Sequence, residues 1–443
     1  MRPYPDYKKQ FKALVFLTML AATAAALSSL VPFAASYAQT ADDIRDRIEE
    51  KDAEIRKLER EISAFQKEID TLNKQKSTLS GEIKELDLTK KKLNADIKVT
   101  ENKIAKTNLK IEDLGLDIGD KETSIRNNDA SIRLGIKTMN ELEEKSLVEV
   151  ILSDEDYGEI WTDLDNMITV RENLRKNIVM LKETKIVLED TRAETIKAKN
   201  ELTKLKSQLA DQQKIVIQNT NEKNKLLKQT QNNEANYQKL LQDRVAQRDA
   251  FEKELENYEA QLSYILDPSK LPAGRVLSWP LDSIFITQLF GKTSASGRLY
   301  ASGTHNGVDL RAAVGTPVKA MADGKVLGVG DTDQTCQGAS FGKFVFIQYT
   351  NGLSSTFGHL SLVKTTEGQS VKRGQVVGYS GATGHVTGPH LHVSLYASEG
   401  VKMTTKASAA CGGRSYYIPV SPVNAYLDVL KYLPPYAASQ VKS

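Results

Sequence analysis

Residues 390–396 read His-Leu-His-Val-Ser-Leu-Tyr, a pair of histidines that leads directly into a β-type run. On a strand, residues i and i+2 point to the same face, so the imidazoles of His390 and His392 converge. This stretch therefore predicts a strand that carries two neighbouring histidines on one side of a sheet.

The C-terminal part of the chain around this stretch consists of short β-rich runs separated by glycine. Two hairpins are predicted there, one over residues 318–329 and one over residues 343–357. Residues 424–432 are predicted as a short helix near the end of the chain. These patterns indicate a compact, mainly β domain.

All five histidines of the chain lie between residues 305 and 392. His305-Asn-Gly-Val-Asp309 adds an imidazole and a carboxylate to the pair on the strand, and His359 follows the second hairpin. Neutral imidazoles and a carboxylate, with no thiolate, suit a catalytic zinc ion with three protein ligands and an open position for water. Because every histidine falls in a few short stretches, the cluster indicates a metal site more strongly than any single histidine would.

Several short motifs between Trp279 and Tyr396 resemble, in order and spacing, those of the LytM/lysostaphin-type zinc endopeptidases. The motifs are His305-x3-Asp309, Gly315-Thr-Pro-Val318, Ala322-Asp-Gly-Lys-Val326, Gly358-His-Leu360, Gly374-Gln-x2-Gly378, Ser380-Gly-Ala-Thr-Gly384 and Thr387-Gly-Pro-His-Leu-His392.

The resemblance implies a compact all-β LytM-type domain, the duplicated hybrid motif, that binds one Zn²⁺ per chain through His305, Asp309 and His392. It also implies that His359 and His390 are two catalytic histidines that do not bind the metal. We favour His390 as the base because it is two residues from a ligand on the same face, and the sequence leaves the opposite assignment open. The implied substrate is the peptide part of peptidoglycan.

Some positions depart from the family pattern. His385-Val386 replaces a polar residue followed by serine, and Ser394 stands where an acidic residue is common. His385 is predicted as a solvent-exposed loop histidine in preference to a substrate contact.

The middle of the chain has no proline between Pro32 and Pro268, and its apolar residues recur at spacings of three, four and seven. This is the seam of a left-handed coiled coil, predicted to run uninterrupted from Ile44 to Met139. A second arm is predicted from Trp161 to Leu266. The last part of its seam consists of Phe251, Leu255, Tyr258, Leu262 and Ile265. Since the arms are similar in length, an antiparallel hairpin is predicted, with a rod that dimerises in parallel as the alternative.

Apolar residues without heptad spacing crowd between residues 146 and 165, the predicted tip of the hairpin. Ile151, Leu152 and Trp161 are unusual residues to expose to water, and they indicate a docking surface for a protein partner. The run Lys145–Asp154 resembles the coiled-coil domain of EnvC-type activators of cell-wall hydrolases. That resemblance implies a membrane complex of the FtsEX type as the partner.

The N-terminus indicates export. Lys8, Lys9 and Lys12 precede an uncharged run that extends to Gln39 and contains Ser36-Tyr37-Ala38. This pattern predicts a signal peptide cleaved before Gln39, with an uncleaved membrane anchor as the alternative. Either way the rest of the chain is expected in the periplasm or at the cell surface. Export and the even number of cysteines predict a Cys336–Cys411 disulfide that braces the rim of the site.

The 443 residues carry a nearly balanced net charge of +3, which argues against a nucleic-acid-binding protein. The predicted organisation is a signal peptide or anchor (1–38), a coiled-coil hairpin (39–266), a linker (267–278), a LytM-type zinc peptidase domain (279–398) and a C-terminal extension (399–443).

Two classes of function follow from these features. The first is an exported zinc metalloendopeptidase of peptidoglycan, controlled through its coiled coil, in wall remodelling or cell division. The second, implied by the EnvC-type resemblance, is a non-enzymatic activator of other murein hydrolases. Members of that family that act only as activators have lost metal ligands, whereas all five positions are filled here, so the enzyme is favoured.

Overall fold

The computed structural model describes residues 32–72, 78–143, 157–262, 264, 266–292 and 304–442. Most of the predicted signal segment and the tip residues Ile151 and Leu152 lie outside the described residues. Trp161 belongs to a described helix, although its side chain is outside the description. Among the described helices, none combines the length and the apolar character that a bilayer crossing requires.

Long helices form the N-terminal part of the chain, as the heptad pattern predicts: α1 (Pro32–Leu72), α2 (Leu79–Glu143), α3 (Tyr157–Thr230) and α4 (Glu234–Gln261). The predicted uninterrupted first arm is wrong, because α1 ends at Leu72 and α2 begins at Leu79. The Thr78 hydroxyl caps α2 by accepting a hydrogen bond from the Gly81 amide at 3.1 Å. An ion pair of 3.2 Å between Lys84 and Glu68 shows that α1 folds back beside α2.

The predicted second arm is also interrupted, between α3 and α4. Gln231 and Asn232 have positive φ angles of 54° and 55°, a conformation that a helix does not contain. Asn233 then caps α4 by accepting hydrogen bonds from the amides of Ala235 and Asn236. The heptad spacing continues across the first break, from Leu72 to Leu79, so apolar periodicity alone does not reveal it.

The chain divides into two compact units. One unit consists of Met1–Arg56 and Val99–Ser207, and the other of Lys57–Lys98 and Gln208–Ser443. The second unit therefore contains helical residues as well as the C-terminal sheet, and it holds every histidine of the chain.

The C-terminal part is an antiparallel β domain, as expected. Its strands are β1 (Ile286–Gln288), β2 (Val308–Arg311), β3 (Pro317–Lys319), β4 (Gly324–Asp331), β5 (Lys343–Tyr349), β6 (Leu353–Val363), β7 (Ser370–Val371), β8 (Val376–Ser380), β9 (His390–Ala397), β10 (Lys402–Ala407), β11 (Ser415–Val420) and β12 (Tyr426–Leu427). The main sheet has the order β1-β2-β9-β6-β5-β4-β7. Outside this path, β12 pairs with β9, β8 pairs with β6, and β3 pairs with β8. Strands β10 and β11 form a separate two-stranded sheet.

Local pairing was predicted correctly in one hairpin and wrongly in the other. β5 and β6 form the predicted hairpin, with Gln348 opposite Ser354. The hairpin predicted over residues 318–329 is wrong, because β3 pairs with β8 and β4 pairs with β5 and β7. The helix predicted over residues 424–432 is wrong as well, since strand β12 there extends the main sheet beside β9. In each error a distant strand provides the hydrogen bonds that a local turn was expected to provide.

Strand β9 separates two apolar cores. Leu391, Val393 and Leu395 point into the main core of the β domain. The opposite face of β9 carries the two histidines and, further along, Tyr396, which belongs to a second core.

Helix α4 contributes to this second core, in which Phe251 and Leu255 pack with residues of β5, β9 and β11. The apolar seam of α4, which was predicted to pack against another helix, therefore packs against the β domain instead. Heptad spacing shows which face of a helix is apolar, whereas the element that covers this face depends on the tertiary fold.

Candidate metal centre and active site

Two adjacent strands position the predicted metal ligands. In the antiparallel pair β2–β9, Asp309 lies directly opposite His392. His305 precedes β2 and is held by two backbone hydrogen bonds with Gly291, of 2.8 and 3.0 Å. The sheet therefore brings together residues that are more than 80 positions apart in the sequence.

One ligand atom from each of these residues converges on a single point. His305 Nε2 lies 3.1 Å from His392 Nδ1. Asp309 Oδ1 lies 3.2 Å from His305 Nε2 and 2.9 Å from His392 Nδ1. All three side chains are buried. Among the described residues, they form a group that can hold a metal ion.

Hydrogen bonds on the far side of each imidazole determine which nitrogen faces the cluster. His305 Nδ1 donates to the Leu289 carbonyl at 2.9 Å, so Nε2 is the nitrogen that faces His392 and Asp309. His392 uses the opposite nitrogen, because Nε2 donates to the Ser394 hydroxyl at 2.8 Å and Nδ1 faces Asp309. Such outer contacts orient metal-binding histidines in general.

The cluster favours a charged carboxylate at Asp309. Burial raises the pKa of Asp309, but the neighbouring His390 and His305 and the close contacts of the carboxylate with His305 and His392 outweigh it and hold the pKa well below its usual range. Burial lowers the pKa of His392, so this ring is neutral at pH 7. Deprotonated ligands are the form that binds a metal.

The other two predicted catalytic histidines stand side by side at the edge of the cluster. The rings of His359 and His390 are 4.6 Å apart, and His390 Nε2 lies 3.6 Å from Asp309 Oδ1. His359 Nδ1 donates to the Thr383 carbonyl and His390 Nδ1 to the Gly388 carbonyl, both at 2.8 Å. Each ring therefore turns a proton-accepting Nε2 away from its carbonyl partner. Burial, reinforced by the other histidines, lowers the pKa of His359 well below its usual value.

His359 has a φ of 62°, which is rare for a residue with a side chain. Its amide donates to the Phe341 carbonyl at 2.7 Å, so the unusual backbone conformation is fixed on one side by the amide and on the other by the ring. Strained conformations of this kind occur preferentially at functional sites.

The prediction for His385 is wrong. Its side chain is only 11% exposed, and Nδ1 lies 3.7 Å from a carboxylate oxygen of Glu252 on helix α4. The helix that covers this loop was assigned to the coiled coil in the sequence, so its contact with the loop was not foreseen.

The structure contains a disulfide between Cys336 and Cys411, with Cα atoms 5.5 Å apart. Both cysteines are buried in the second core beside Phe251. The loop that holds Cys336 also reaches the site, because Asp333 accepts a hydrogen bond from the Gly384 amide at 3.0 Å.

A cavity of about 750 Å³ lies between helical residues of the second unit and the β-domain loop that contains Thr383 and Thr387. Its β-domain wall includes Thr383, which holds His359, and Thr387, three residues before His390. Its helical wall includes Glu222 and Arg244. Burial raises the pKa of Glu222 and lowers that of Arg244. The sequence did not indicate that helices would line this side of the site.

Ser394 is a site residue that the sequence signalled only as a departure from the family pattern. Its hydroxyl contacts the predicted ligand His392 at 2.8 Å. The signal was the i+2 spacing from His392, which places both side chains on one face of β9.

Comparisons with known proteins agree with this geometry. Residues 303–404 match peptidase family M23. The peptidoglycan DD-endopeptidase ShyA of Vibrio cholerae is 43% identical over 91 residues, which are 20% of this chain and 20% of that protein. The cell division protein DipM of Caulobacter vibrioides is 33% identical over 129 residues, or 29% of this chain and 19% of that protein. The matches thus span about a fifth of the length of these relatives.

Two solved structures are also similar to part of this chain. A zinc-containing peptidase from Vibrio cholerae is 28% identical, with a TM-score of 0.26, and the match covers 36% of this chain and 41% of that chain. The catalytic domain of lysostaphin from Staphylococcus simulans is 32% identical, with a TM-score of 0.23, and the match covers 26% of this chain and 80% of that chain. The C-terminal part of this chain is a peptidase family M23 domain of the LytM type, and it follows a region of long helices.

Proposed function

We propose that this chain is an exported zinc-dependent endopeptidase that cleaves peptide cross-links of peptidoglycan, with a role in wall remodelling or cell division. The observation that carries the proposal is the convergence of ligand atoms from His305, Asp309 and His392 beside the rings of His359 and His390. The names of the relatives ShyA and DipM, which refer to peptidoglycan endopeptidase activity and to cell division, support the same conclusion.

The residues present fit a zinc ion. Two imidazole nitrogens and one carboxylate oxygen, all within 4.8 Å of one another, are the ligand set of a catalytic zinc site and leave one coordination position open. Zinc bound there would lower the pKa of a water molecule to about 7 and polarise the carbonyl of the scissile bond.

We assign the proton transfers to His390. Its side chain is 15% exposed, and its Nε2 is next to Asp309 and unprotonated in the neutral ring, so it can accept the proton of the attacking water. The protonated ring can then pass this proton to the leaving amine. His359, which is more deeply buried, presents an unprotonated Nε2 that can accept a hydrogen bond from the amine N–H.

The helical residues of the second unit are proposed to restrict access to this site. They line the cavity beside Thr383 and Thr387, where an extended peptide would have to approach the histidines. Release of this contact would open the site, which gives the coiled coil the controlling role expected of it. A partner can cause release only if it binds the open state more tightly than the closed one.

The proposed partner is a membrane complex of the FtsEX type that binds the tip residues Ile151, Leu152 and Trp161. Support comes from their apolar character and from the EnvC-type resemblance of the surrounding run. Aspartate substitutions at Ile151 and Leu152 should abolish co-purification with the complex and leave zinc content unchanged. Unchanged co-purification would rule out the tip as the docking site.

The central test measures zinc content and digestion of purified peptidoglycan by the full chain, isolated after export. His392→Ala should lose the zinc. His390→Ala should retain about one zinc per chain and lose about 100-fold or more of the turnover, since the base is removed. His385→Ala, which removes a histidine outside the cluster, is the matched control and should retain both.

Two outcomes would contradict parts of the proposal. Equal zinc content in His392→Ala and the unaltered chain would overturn the ligand assignment. A zinc-loaded chain that digests no peptidoglycan, even with its helical contacts weakened, would instead support the activator of other murein hydrolases.

A further inference from the structure

One peptide group lies between a carboxylate and the proposed catalytic histidine His359. The carbonyl of this group belongs to Thr383 and accepts the hydrogen bond from His359 Nδ1 at 2.8 Å. Its N–H belongs to Gly384 and donates to Asp333 Oδ2 at 3.0 Å. The C=O and the N–H of a trans peptide point in opposite directions, and none of the described peptide bonds is cis. Asp333 and His359 therefore bind the two ends of the same rigid group.

Asp333 is itself held by the loop between β4 and β5 to which it belongs. Its Oδ1 accepts a hydrogen bond from the Gly338 amide at 2.6 Å, and its own amide donates to Asp331 Oδ1 at 3.1 Å. Cys336, in the same loop, is part of the disulfide. An ionised carboxylate accepts hydrogen bonds through both oxygens, as the two amides here require. The loop therefore fixes the orientation of this carboxylate.

Close packing fixes the peptide group as well. Gly384 has a φ of 73°, and a Cβ at this position would collide with the Gly342 amide and the Ser340 carbonyl. The Thr383 hydroxyl accepts a hydrogen bond from the Lys343 amide at 2.9 Å. The peptide group therefore cannot rotate without a shift of the loop between β4 and β5.

The same loop also holds the backbone of His359. The Phe341 carbonyl accepts a hydrogen bond from the His359 amide at 2.7 Å, and His359 has a φ of 62°. A residue in this conformation needs support from its surroundings, because the conformation is unfavourable by itself. His359 thus depends on one loop twice: its backbone is held directly, and its ring is held through the peptide group that Asp333 binds.

We propose that Asp333 is a positioning residue for His359, acting through the peptide group that joins Thr383 to Gly384. A carboxylate that accepts a hydrogen bond from a peptide N–H polarises the group and makes its carbonyl a stronger acceptor. The stronger acceptor keeps the proton of His359 on Nδ1, so that Nε2 can accept a hydrogen bond from the leaving amine. This inference rests on the proposed endopeptidase function, in which His359 makes that contact.

The first readout is the NMR signal of the Nδ1 proton of His359, measured on the full chain labelled with ¹⁵N-histidine. It does not depend on activity, and its loss in His359→Gln assigns it. In Asp333→Ala the signal should move upfield, because the hydrogen bond to the Thr383 carbonyl weakens. The Nδ1 protons of His305 and His390 donate to carbonyls of other segments and should not move.

The second readout is cleavage of soluble cross-linked peptidoglycan fragments by the full chain. Asp333→Ala should lower kcat about 10-fold, the effect typical of a lost outer partner. KM should be unchanged, because the contact of His359 with the leaving amine is made only as the bond breaks. Asp333→Asn, which keeps one acceptor oxygen, should lower kcat less. Zinc content should be equal in all of these chains.

Two variants of the same loop are the matched controls. Asp331→Asn removes an equal charge two residues away and keeps the oxygen that accepts from the Asp333 amide. Thr335→Val removes a hydroxyl that donates to the Ser415 carbonyl at 2.7 Å and takes no part in the connection to the peptide group. Both should leave the NMR signal and kcat unchanged. Thermal unfolding shows whether each variant is folded, and should Asp333→Ala fail to fold, Asp333→Asn tests the same connection.

The outcomes separate this inference from the proposed function. If the unaltered chain binds no zinc or cleaves no fragment, the proposed function fails, and the NMR signal alone decides the role of Asp333. An unmoved signal in Asp333→Ala would overturn that role, as would an unchanged kcat in an active chain. An equal loss of kcat in Thr335→Val would show a general effect of loop packing and would also overturn it.

Discussion

Helices α3 and α4 both contact the β domain, but the two contacts differ in chemistry. Helix α4 inserts Phe251 and Leu255 into an apolar core that it shares with three strands. The α3 contact is smaller: Ile215 packs near Tyr379, and Asp211 accepts a hydrogen bond from the Tyr379 hydroxyl at 3.0 Å. Asp211 also pairs with Lys364 at 2.7 Å.

The difference indicates which helix can leave the β domain. Burial of apolar side chains contributes about 1.5–3 kcal/mol per residue, whereas a hydrogen bond contributes about 1 kcal/mol net. We therefore expect α4 to remain attached and the α3 contact to be the one that opens. Opening at α3 would widen the cavity beside Thr383 and Thr387 while α4 stays in place.

The largest expected effect is on the α4 contact. Phe251→Ala should lower the free energy of unfolding by about 4 kcal/mol, because Phe251 is completely buried and packs edge-on against Tyr416 with ring centres 5.2 Å apart. Denaturant unfolding measures the change. Ile217→Ala is the control, since Ile217 on α3 is 60% exposed and should matter little. If Phe251→Ala and Ile217→Ala lower the free energy of unfolding by the same small amount, α4 is not an integral part of the β domain.

The second prediction concerns the free energy of unfolding, which should depend on pH through Glu259 at the α4 contact. Burial raises the pKa of Glu259 to about 7, despite hydrogen bonds from Tyr426 and the Ser421 amide, and Glu252 and Glu256 add to the rise. The folded state therefore binds this proton more tightly than the unfolded state does. The contribution to stability is complete below pH 4.5 and is lost as the pH rises through 7, by at most about 3 kcal/mol.

Glu259→Gln removes this titration and leaves the neighbouring charges in place. The free energy of unfolding of the unaltered chain should fall relative to that of the variant between pH 5 and pH 8.5. Denaturant unfolding at both pH values gives the comparison. A difference that is constant with pH would show that Glu259 titrates normally in the folded state.

The smallest effect on stability is expected at the α3 contact. Asp211→Ala should cost about 1 kcal/mol, because the buried Asp211 carboxylate loses its hydrogen bond with Tyr379 and its ion pair with Lys364. If this contact restricts the site, peptidoglycan digestion should rise about fivefold, since 1.4 kcal/mol corresponds to a factor of ten in an equilibrium.

The control for this prediction is Asp243→Ala, which removes an exposed carboxylate from α4. Zinc content should be equal in both variants and in the unaltered chain. If Asp211→Ala and the Asp243→Ala control digest peptidoglycan at the same rate, the α3 contact has no regulatory effect.

The candidate site was largely predictable because its chemistry depends on residue type and short spacing. His390 and His392 share a face on any strand, and His305 and Asp309 lie close together in the sequence. What spacing could not predict is the contact between these two segments, which depends on the pairing of β2 with β9.

In the helical region the sequence predicted the helices but not where they are interrupted. Its helices were predictable from apolar periodicity, but its first break was not, since Leu72 and Leu79 keep heptad spacing across the end of α1. His385 is similar: the loop was recognisable in the sequence, whereas the Glu252 carboxylate beside it belongs to a helix assigned to another domain.

The sequence by itself determined the residue types of the metal cluster, the helical and β character of the two regions, and the apolar face of each element. These properties are local, because they depend on side-chain chemistry and on backbone periodicity. Only the tertiary structure decided that the apolar face of α4 packs on the β domain and that Glu259 of this helix accepts a hydrogen bond from Tyr426. An apolar face gains similar free energy from any surface that excludes water, so its partner is selected by the shape and the hydrogen bonds of the complete fold.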